Sequence, residues 1–208
     1  MYSDLGDFVS LLHEKNPDAK FIVDLGAYDG GDSIALSSFF PLASIMSVEA
    51  SPLRFPIVVK NCSPYQNIRV IHAAVSDCQK EVVLTHSWTD KEPHCAMLSG
   101  LKPDYDLPKG WRIDQRRWTM KSVSLYELCQ KEFHDFQVDI LHMDVEGSEL
   151  NVLKGMGTIR PRIISMEVVG GLYFNGAATR DELCSFVSGY GYSPIVDRGH
   201  DMIFWRDQ

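Results

Sequence analysis

The sequence has no apolar run approaching the ~20 residues of a membrane-crossing helix. It has no excess of positive charge either: 28 Asp and Glu outnumber 20 Lys and Arg, for a net charge of −8. A general nucleic-acid binder needs a basic face for phosphate, and that balance argues against one. Acids stand in the opening MYSDLGDFVSLLHEKN where a signal peptide would carry positive charge. Cysteine is sparse and unpatterned. Cys62, Cys78, Cys95, Cys129 and Cys184 are odd in number and form no C-x-x-C. This points to unpaired thiols in a reducing, cytoplasmic compartment rather than to a disulfide framework. No two histidines have zinc-like spacing, which speaks against a structural metal. The dinucleotide fingerprint G-x-G-x-x-G is missing, and there are no internal repeats.

What is present is a steady alternation. Short, β-branched apolar runs occur at Phe21–Leu25, Ile45–Glu49, Ile68–Ala74, Val138–Asp144 and Ile163–Val168. They are nearly continuous, as buried parallel strands are. Helical patterns lie beside them at Leu5–Lys15, Ser33–Phe40, Leu53–Asn61, Leu125–Phe133, Ser148–Met156 and Arg180–Gly189. Pro56 must kink the third of these or delay its start. The end differs: YSPIVDRGHDMIFWRD holds two strand-like runs joined by a link too short for a parallel crossover. The expectation is a doubly wound α/β fold whose mostly parallel sheet ends in an antiparallel hairpin. With 208 residues and 45% hydrophobic content, one domain is expected over 1–208. It stands alone or as a piece of a larger multi-domain protein.

Between the first strand and the helix after it runs FIVDLGAYDGGDS, with Gly26, Gly30 and Gly31. Glycine costs backbone entropy, so three in one turn serve conformation or a close approach. The spacing is D-x-G-x-x-x-G, from Asp24. Glu49 ends the second strand in SVEASP, where an acid is placed to accept hydrogen bonds from ribose hydroxyls. Asp77, in AAVSD after the third strand, is placed to reach an adenine or is a surface turn acid.

These pieces together (DLGAYDG, VEAS, AAVSD, SLYEL, VDILHMDVEGSELNVLKG and IISMEV) resemble the FkbM family of S-adenosylmethionine-dependent methyltransferases. The likeness runs from Phe21 to about Arg206, and MDVEGSELNVLKG is its most specific part. It implies a Rossmann-like class I methyltransferase with a seven-stranded sheet. It also implies an O-methyltransferase with S-adenosylmethionine as donor and a hydroxyl of a sugar or glycan as acceptor. A lipid or polyketide hydroxyl is the alternative, as is a non-catalytic donor-binding or scaffold domain; a nicotinamide dehydrogenase is a more distant rival. On this reading Asp24, Gly26, Ala27, Gly30, Glu49, Ala50 and Asp77 hold the donor, with Asp24 meeting its ammonium. A protonated sugar hydroxyl is a poor nucleophile and needs a general base or a metal. Asp144 is the first candidate, at the carboxyl edge of its strand. Glu167, ending the next strand, and His94 are the others, with His86 a weaker one. A divalent ion at Asp144 and Glu146 is left open. Glu149 reads as a helix-dipole acid, and His142 as a satisfied core residue.

Residues 86–118 show no clean period. A long irregular segment in a compact domain is functional or disordered, and its tryptophans argue against disorder. The stretch 88–118 reads as a substrate-side loop, with Trp111, Trp118, Arg112, Arg116 and Arg117 a sugar platform or a solvated edge. GGLYFNG, residues 170–176, reads as an acceptor loop carrying Tyr173.

Overall fold

The computed structural model describes residues 2–89, 93–96, 111–132 and 137–207, with side chains over 8–85, 117–132 and 137–207. Helix α1 (Tyr2–Lys15) precedes strand β1 (Phe21–Leu25), and the glycine loop leads into α2 (Gly31–Phe39). Strand β2 (Ser44–Glu49), α3 (Phe55–Cys62) and β3 (Ile68–His72) follow. Four strands then leave the main alternation: β4 (Ala74–Ser76), β5 (Glu81–Thr89), β6 (Pro93–Ala96) and β7 (Trp111–Ser124). The chain returns through α4 (Leu125–Glu132), β8 (Ile140–Met143), α5 (Glu149–Lys154) and β9 (Ile163–Glu167). It ends with α6 (Gly170–Tyr173), α7 (Arg180–Ser188), β10 (Ser193–Asp197) and β11 (Asp201–Trp205).

Among the described residues the main sheet has seven strands in the order β10-β11-β9-β8-β1-β2-β3. Neighbours from β9 to β3 are parallel, and β11 runs antiparallel to both β9 and β10. This is the doubly wound sheet with a terminal hairpin that the alternation predicts. The hairpin enters with its last strand inside, leaving β10 at the edge.

Consecutive strand residues point to opposite faces, and both faces are covered. Ile22, Ile45, Ile140, Ile163 and Ile203 pack under Phe8, Val9 and Leu12 of α1 and Leu36 of α2. Val23, Met46, Leu141, Met143, Ile164 and Met166 pack under α4, α5 and α7 through Leu128, Val152, Leu153, Leu183 and Val187. Each fully enclosed side chain of this size contributes about 1.5–3 kcal/mol. Local signals set the ends. Phe40 closes α2 just before Pro41, Pro56 starts α3 late rather than kinking it, and Thr179 with Glu182 forms a capping box on α7.

Two expectations are corrected here. The run Ile68–Ala74 is not one strand: it breaks at Ala73, and Ala74–Ser76 pairs with β7 in a second sheet. The segment read as an irregular 88–118 loop supplies strands to that sheet, of order β4-β7-β5-β6. Its long β5–β7 pairing shifts register between Thr85 and Ser87, which breaks the period-two pattern on which strand recognition rests. Residues 90–92 and 97–110 lie outside the described residues.

Candidate active site

Strand register builds the site row by row. On the face covered by α1 and α2, Ile22, Ile45, Ile140 and Ile163 form the apolar floor. Two residues further along each strand the row turns polar. Ser47 stands opposite Asp24, Asp24 opposite His142, and His142 opposite Ser165. Two further on it turns acidic: Glu49 ends β2, Asp144 follows β8, and Glu167 ends β9 directly opposite Asp201 of β11. The strands therefore deliver carboxylates to one end of the sheet, the end at which α/β folds place ligands.

The glycine loop sits at this end and is fixed by its own hydrogen bonds. The N–H groups of Gly26 and Ala27 both donate to the Val48 carbonyl, and that of Gly30 donates to the Ala27 carbonyl. Gly26 has φ +85°, and a Cβ there would collide with the Asp144 carbonyl oxygen. Gly30, at φ +88°, faces α3 less tightly, where a Cβ would lie 2.7 Å from the Cys62 sulfur and 3.6 Å from a Val58 methyl. The glycines thus let the loop lie backbone to backbone against Asp144 and close over the side chains of α3. Among the described residues Tyr28 and Glu146, one in this loop and one just past Asp144, are the non-glycine residues with positive φ, at 55° and 52°.

Glu49 is 6% exposed, and both of its oxygens are held. Oε2 accepts from the Tyr28 N–H at 2.8 Å and Oε1 from the Ser51 N–H at 2.6 Å. Burial raises its carboxyl above the usual range, and the two backbone donors and Arg54 oppose the rise. Each oxygen keeps a second lone pair for a ligand hydroxyl. Beside it Arg54 stacks 3.8 Å from the Tyr28 ring centroid and donates to the Tyr28 hydroxyl at 2.6 Å. Ala50 adjoins, its carbonyl 3.1 Å from His72 Nε2.

Asp24 is 1% exposed and accepts from the Ser33 hydroxyl, itself 2.7 Å from Ser47 Oγ. Enclosure pushes it up to about 6 against the pull of His142. Asp24 is sealed beneath the opening rather than presented in it. His142 is satisfied, as expected, but by groups that reach the site. Its Nδ1 lies 3.0 Å from Ser165 Oγ and its Nε2 3.4 Å from Asp32 Oδ2. Enclosure alone would lower its pKa, but the hydrogen bond and charge of Asp32, with Asp24, lift it to about 9.

The candidate bases separate by environment. Asp144 is exposed to solvent. Loss of water to the protein packed around it raises its carboxyl to about 6, with His142 opposing and Asp201 and Asp32 adding to the rise. It is ionised at neutral pH. Glu167 is pushed up to about 9 by burial and by Asp144, Glu146 and Glu149, and its Oε2 is buried without a hydrogen-bond partner. The rise favours its protonated form at neutral pH, which makes it a weaker base there than Asp144. Glu146 is pushed up to about 8, by burial and then by Asp144. Glu149 accepts from the N–H groups of Val145 and Gly147, both at 3.2 Å, and so holds the loop as well as the helix start. His94 lies in β6 opposite Ser87, and its side chain, like those of His86, Trp111, Arg112 and Arg116, is outside the described residues. Asp77 is not brought to this edge. It sits in the turn after β4, 2.5 Å from Lys80, whose hydrogen bond lowers it to about 2. The stretch 170–176 is partly helical, and Gly170 of α6 abuts Gly147. Among the described residues no group of three or more His, Cys, Asp or Glu is arranged to hold a metal ion, and no helix is long and apolar enough to cross a membrane.

Sequence reasoning missed Asp32, Ser165 and Asp201. For Ser165 the signal was present as a repeated apolar–polar–acid pattern at i, i+2 and i+4, in Ile45-Ser47-Glu49, Ile140-His142-Asp144 and Ile163-Ser165-Glu167; Asp32 and Asp201 lie outside it.

Residues 24–194 match the model of the Methyltransferase FkbM domain. The chain is 25% identical over 154 residues to the 2-O-methyltransferase NoeI of Sinorhizobium fredii, a match spanning 71% of this chain and 60% of that protein's length. Among solved structures it resembles the N-terminal domain of EvdMO1 with SAH bound (TM-score 0.56, 12% identity, 98% of this chain and 81% of that one). It also resembles Aeropyrum pernix fibrillarin in complex with S-adenosyl-L-methionine (TM-score 0.53, 13% identity, 89% and 66%). A third is precorrin-6y C5,15-methyltransferase of Geobacter metallireducens (TM-score 0.53, 12% identity, 96% and 88%). At these identities the structural likeness establishes the class I methyltransferase fold.

Proposed function

Because the chain belongs to the FkbM methyltransferase family, we propose that it is an S-adenosylmethionine-dependent O-methyltransferase acting on a hydroxyl of a sugar or glycan. The observation that carries the reading is the pairing of two carboxylates at one sheet edge. Glu49 is held rigid at the end of β2, and Asp144 is open to solvent after β8. The residues fit the donor: Glu49 keeps acceptor capacity for a ribose diol, and the loop of Gly26 lies between the two. The 2-O-methyltransferase name of NoeI supports an oxygen acceptor, and the SAM- and SAH-bound relatives of the same fold support the donor. Tryptophans occur at positions 88, 111 and 118 of β5 and β7, where the backbone register pairs position 88 with 112 and 89 with 111; tryptophan is a residue type that suits the apolar faces of sugar rings.

When bound, S-adenosylmethionine supplies an electrophilic methyl group on a sulfonium. Asp144 accepts the acceptor's hydroxyl proton at its carboxylate as that oxygen attacks in line. Its rise to about 6 leaves it ionised near neutrality while keeping it more basic than an ordinary aspartate. Glu167 and Glu146 retain their protons and offer hydrogen-bond donors to acceptor oxygens. The test is calorimetric titration with S-adenosylmethionine, S-adenosylhomocysteine and NAD, followed by mass analysis of a sugar panel incubated with the donor. Micromolar binding of the first two, no binding of NAD and a methylated sugar are expected. Absence of donor binding overturns the reading. Donor binding with methylation confined to lipid or polyketide hydroxyls overturns the acceptor.

A further inference from the structure

An adenosyl donor with an amino-acid tail brings an ammonium group that needs a carboxylate. The stretch from β1 through the glycine loop into α2 offers three: Asp24, Asp29 and Asp32. Asp24 is sealed, 1% exposed and engaged by Ser33. Asp29 turns back on its own loop, its Oδ1 accepting from the Gly31 N–H at 2.9 Å. Asp32 is different. It lies in the first turn of α2, directly after the glycine pair, and its side chain keeps 35% of its surface open. It does not wave freely. His142 Nε2 approaches its Oδ2 at 3.4 Å, and the far side of the same ring, Nδ1, meets Ser165 Oγ at 3.0 Å. The ring is packed from above by Phe8 of α1, with centroids 5.7 Å apart.

Resting on the donor reading above, we infer that Asp32, braced by His142 and Ser165, is the carboxylate that receives the ammonium of the donor's amino-acid tail. Three elements fix its position: α2 carries it, β8 supplies the imidazole and β9 supplies the hydroxyl behind that imidazole. His142 does not cancel the pull on a cation, because Asp24 stands beside it in the register and Asp144 follows two residues on. Burial would raise the Asp32 carboxyl, but the His142 hydrogen bond and charge hold it below the ordinary range, so it is ionised when a ligand arrives. The arrangement also gives a polar ring inside a covered strand a task that core packing does not require. Asp32 touches the ligand; His142 and Ser165 are positioning residues that act through it.

The test separates the tail from the rest of the donor. Binding of S-adenosylhomocysteine is compared with that of 5′-methylthioadenosine, which keeps the adenosine and the sulfur but lacks the amino-acid tail. Asp32→Asn is expected to weaken S-adenosylhomocysteine roughly ten- to a hundredfold, as loss of a charge-assisted hydrogen bond does, and to leave 5′-methylthioadenosine unchanged. Ser165→Ala and His142→Gln are expected to shift the same ligand in the same direction, and Asp32→Glu to recover part of the loss. Should Asp32→Asn not fold, Ser165→Ala, which removes only the brace behind His142, decides by the same comparison. Equal weakening of both ligands overturns the inference and marks a structural role. So does unchanged S-adenosylhomocysteine affinity, or a tail-specific loss in Asp144→Asn instead. A wild-type protein that binds neither ligand overturns the donor reading and this inference with it.

Discussion

Replacing Gly26 by alanine tests whether the donor loop and the candidate base are held by direct backbone contact. At φ +85°, an added Cβ would lie 1.8 Å from the Asp144 carbonyl oxygen and 2.8 Å from its carbonyl carbon. Real Cβ contacts essentially never fall below 3.0 Å, so the loops must part by at least the difference, 3.0 − 1.8 = 1.2 Å. The left-handed backbone alone costs about 1–2 kcal/mol for a residue with a Cβ, and forced shifts in a packed interior add about 1–3 kcal/mol. A loss of about 2–5 kcal/mol is therefore expected in urea unfolding followed by circular dichroism. Gly176 is the control, since at φ +78° a Cβ there meets nothing within 4 Å; Gly176→Ala carries the backbone cost without the clash. Where Gly26→Ala still folds, Asp144 is displaced by about an ångström, and misplacement on that scale costs about 100-fold in turnover. Equal stability losses for the two variants would refute the backbone-contact reasoning. So would full donor affinity and turnover in Gly26→Ala.

Glu49→Ala removes the carboxylate that Tyr28 and Ser51 orient, and donor affinity is expected to fall by about 1–3 kcal/mol by calorimetry; unchanged affinity would take Glu49 out of the site. Asp144→Asn is expected to keep donor affinity and to lose roughly 100-fold or more in methylated product, while wild-type turnover declines as pH falls through about 6. Folding stability has the opposite sign of pH dependence. Glu149, Glu146 and Glu167 are raised to about 7, 8 and 9, and His142 to about 9, so the folded state holds protons that the unfolded chain releases at lower pH. That stabilisation is complete below the unfolded values and is lost as pH rises through the folded ones. The melting temperature is thus expected to fall between about pH 6 and pH 9, and Glu167→Gln to flatten the slope; a rise over that range in differential scanning fluorimetry would contradict the proton count.

Much of the main sheet is legible along the chain because buried parallel strands are short, continuous and β-branched. Phe21–Leu25 is bounded as expected, and Ile45–Glu49 and Ile163–Val168 differ from the observed strands by one residue. Strands of the second sheet are not legible. Their pairing joins residues far apart with a register shift, and neither face alternates long enough to announce itself. Nor could spacing choose between the two readings of Asp77, beside an adenine or in a surface turn; the chain turns at Ala73 into another sheet and carries it to a turn with Lys80.

The sequence by itself determined the α/β class, the family, the end of β2 at Glu49 and the end of β8 beside Asp144, because these depend on local composition and spacing. Only the tertiary structure decided which acids are sealed, which are open and which keep their protons. Asp144 and Glu167 read alike as strand-end acids, yet one is open to solvent while the other faces Asp201 across β11 with a buried, unpartnered oxygen. A carboxyl's pKa is set by neighbours within a few ångströms, and here those neighbours come from strands separated by tens of residues of chain.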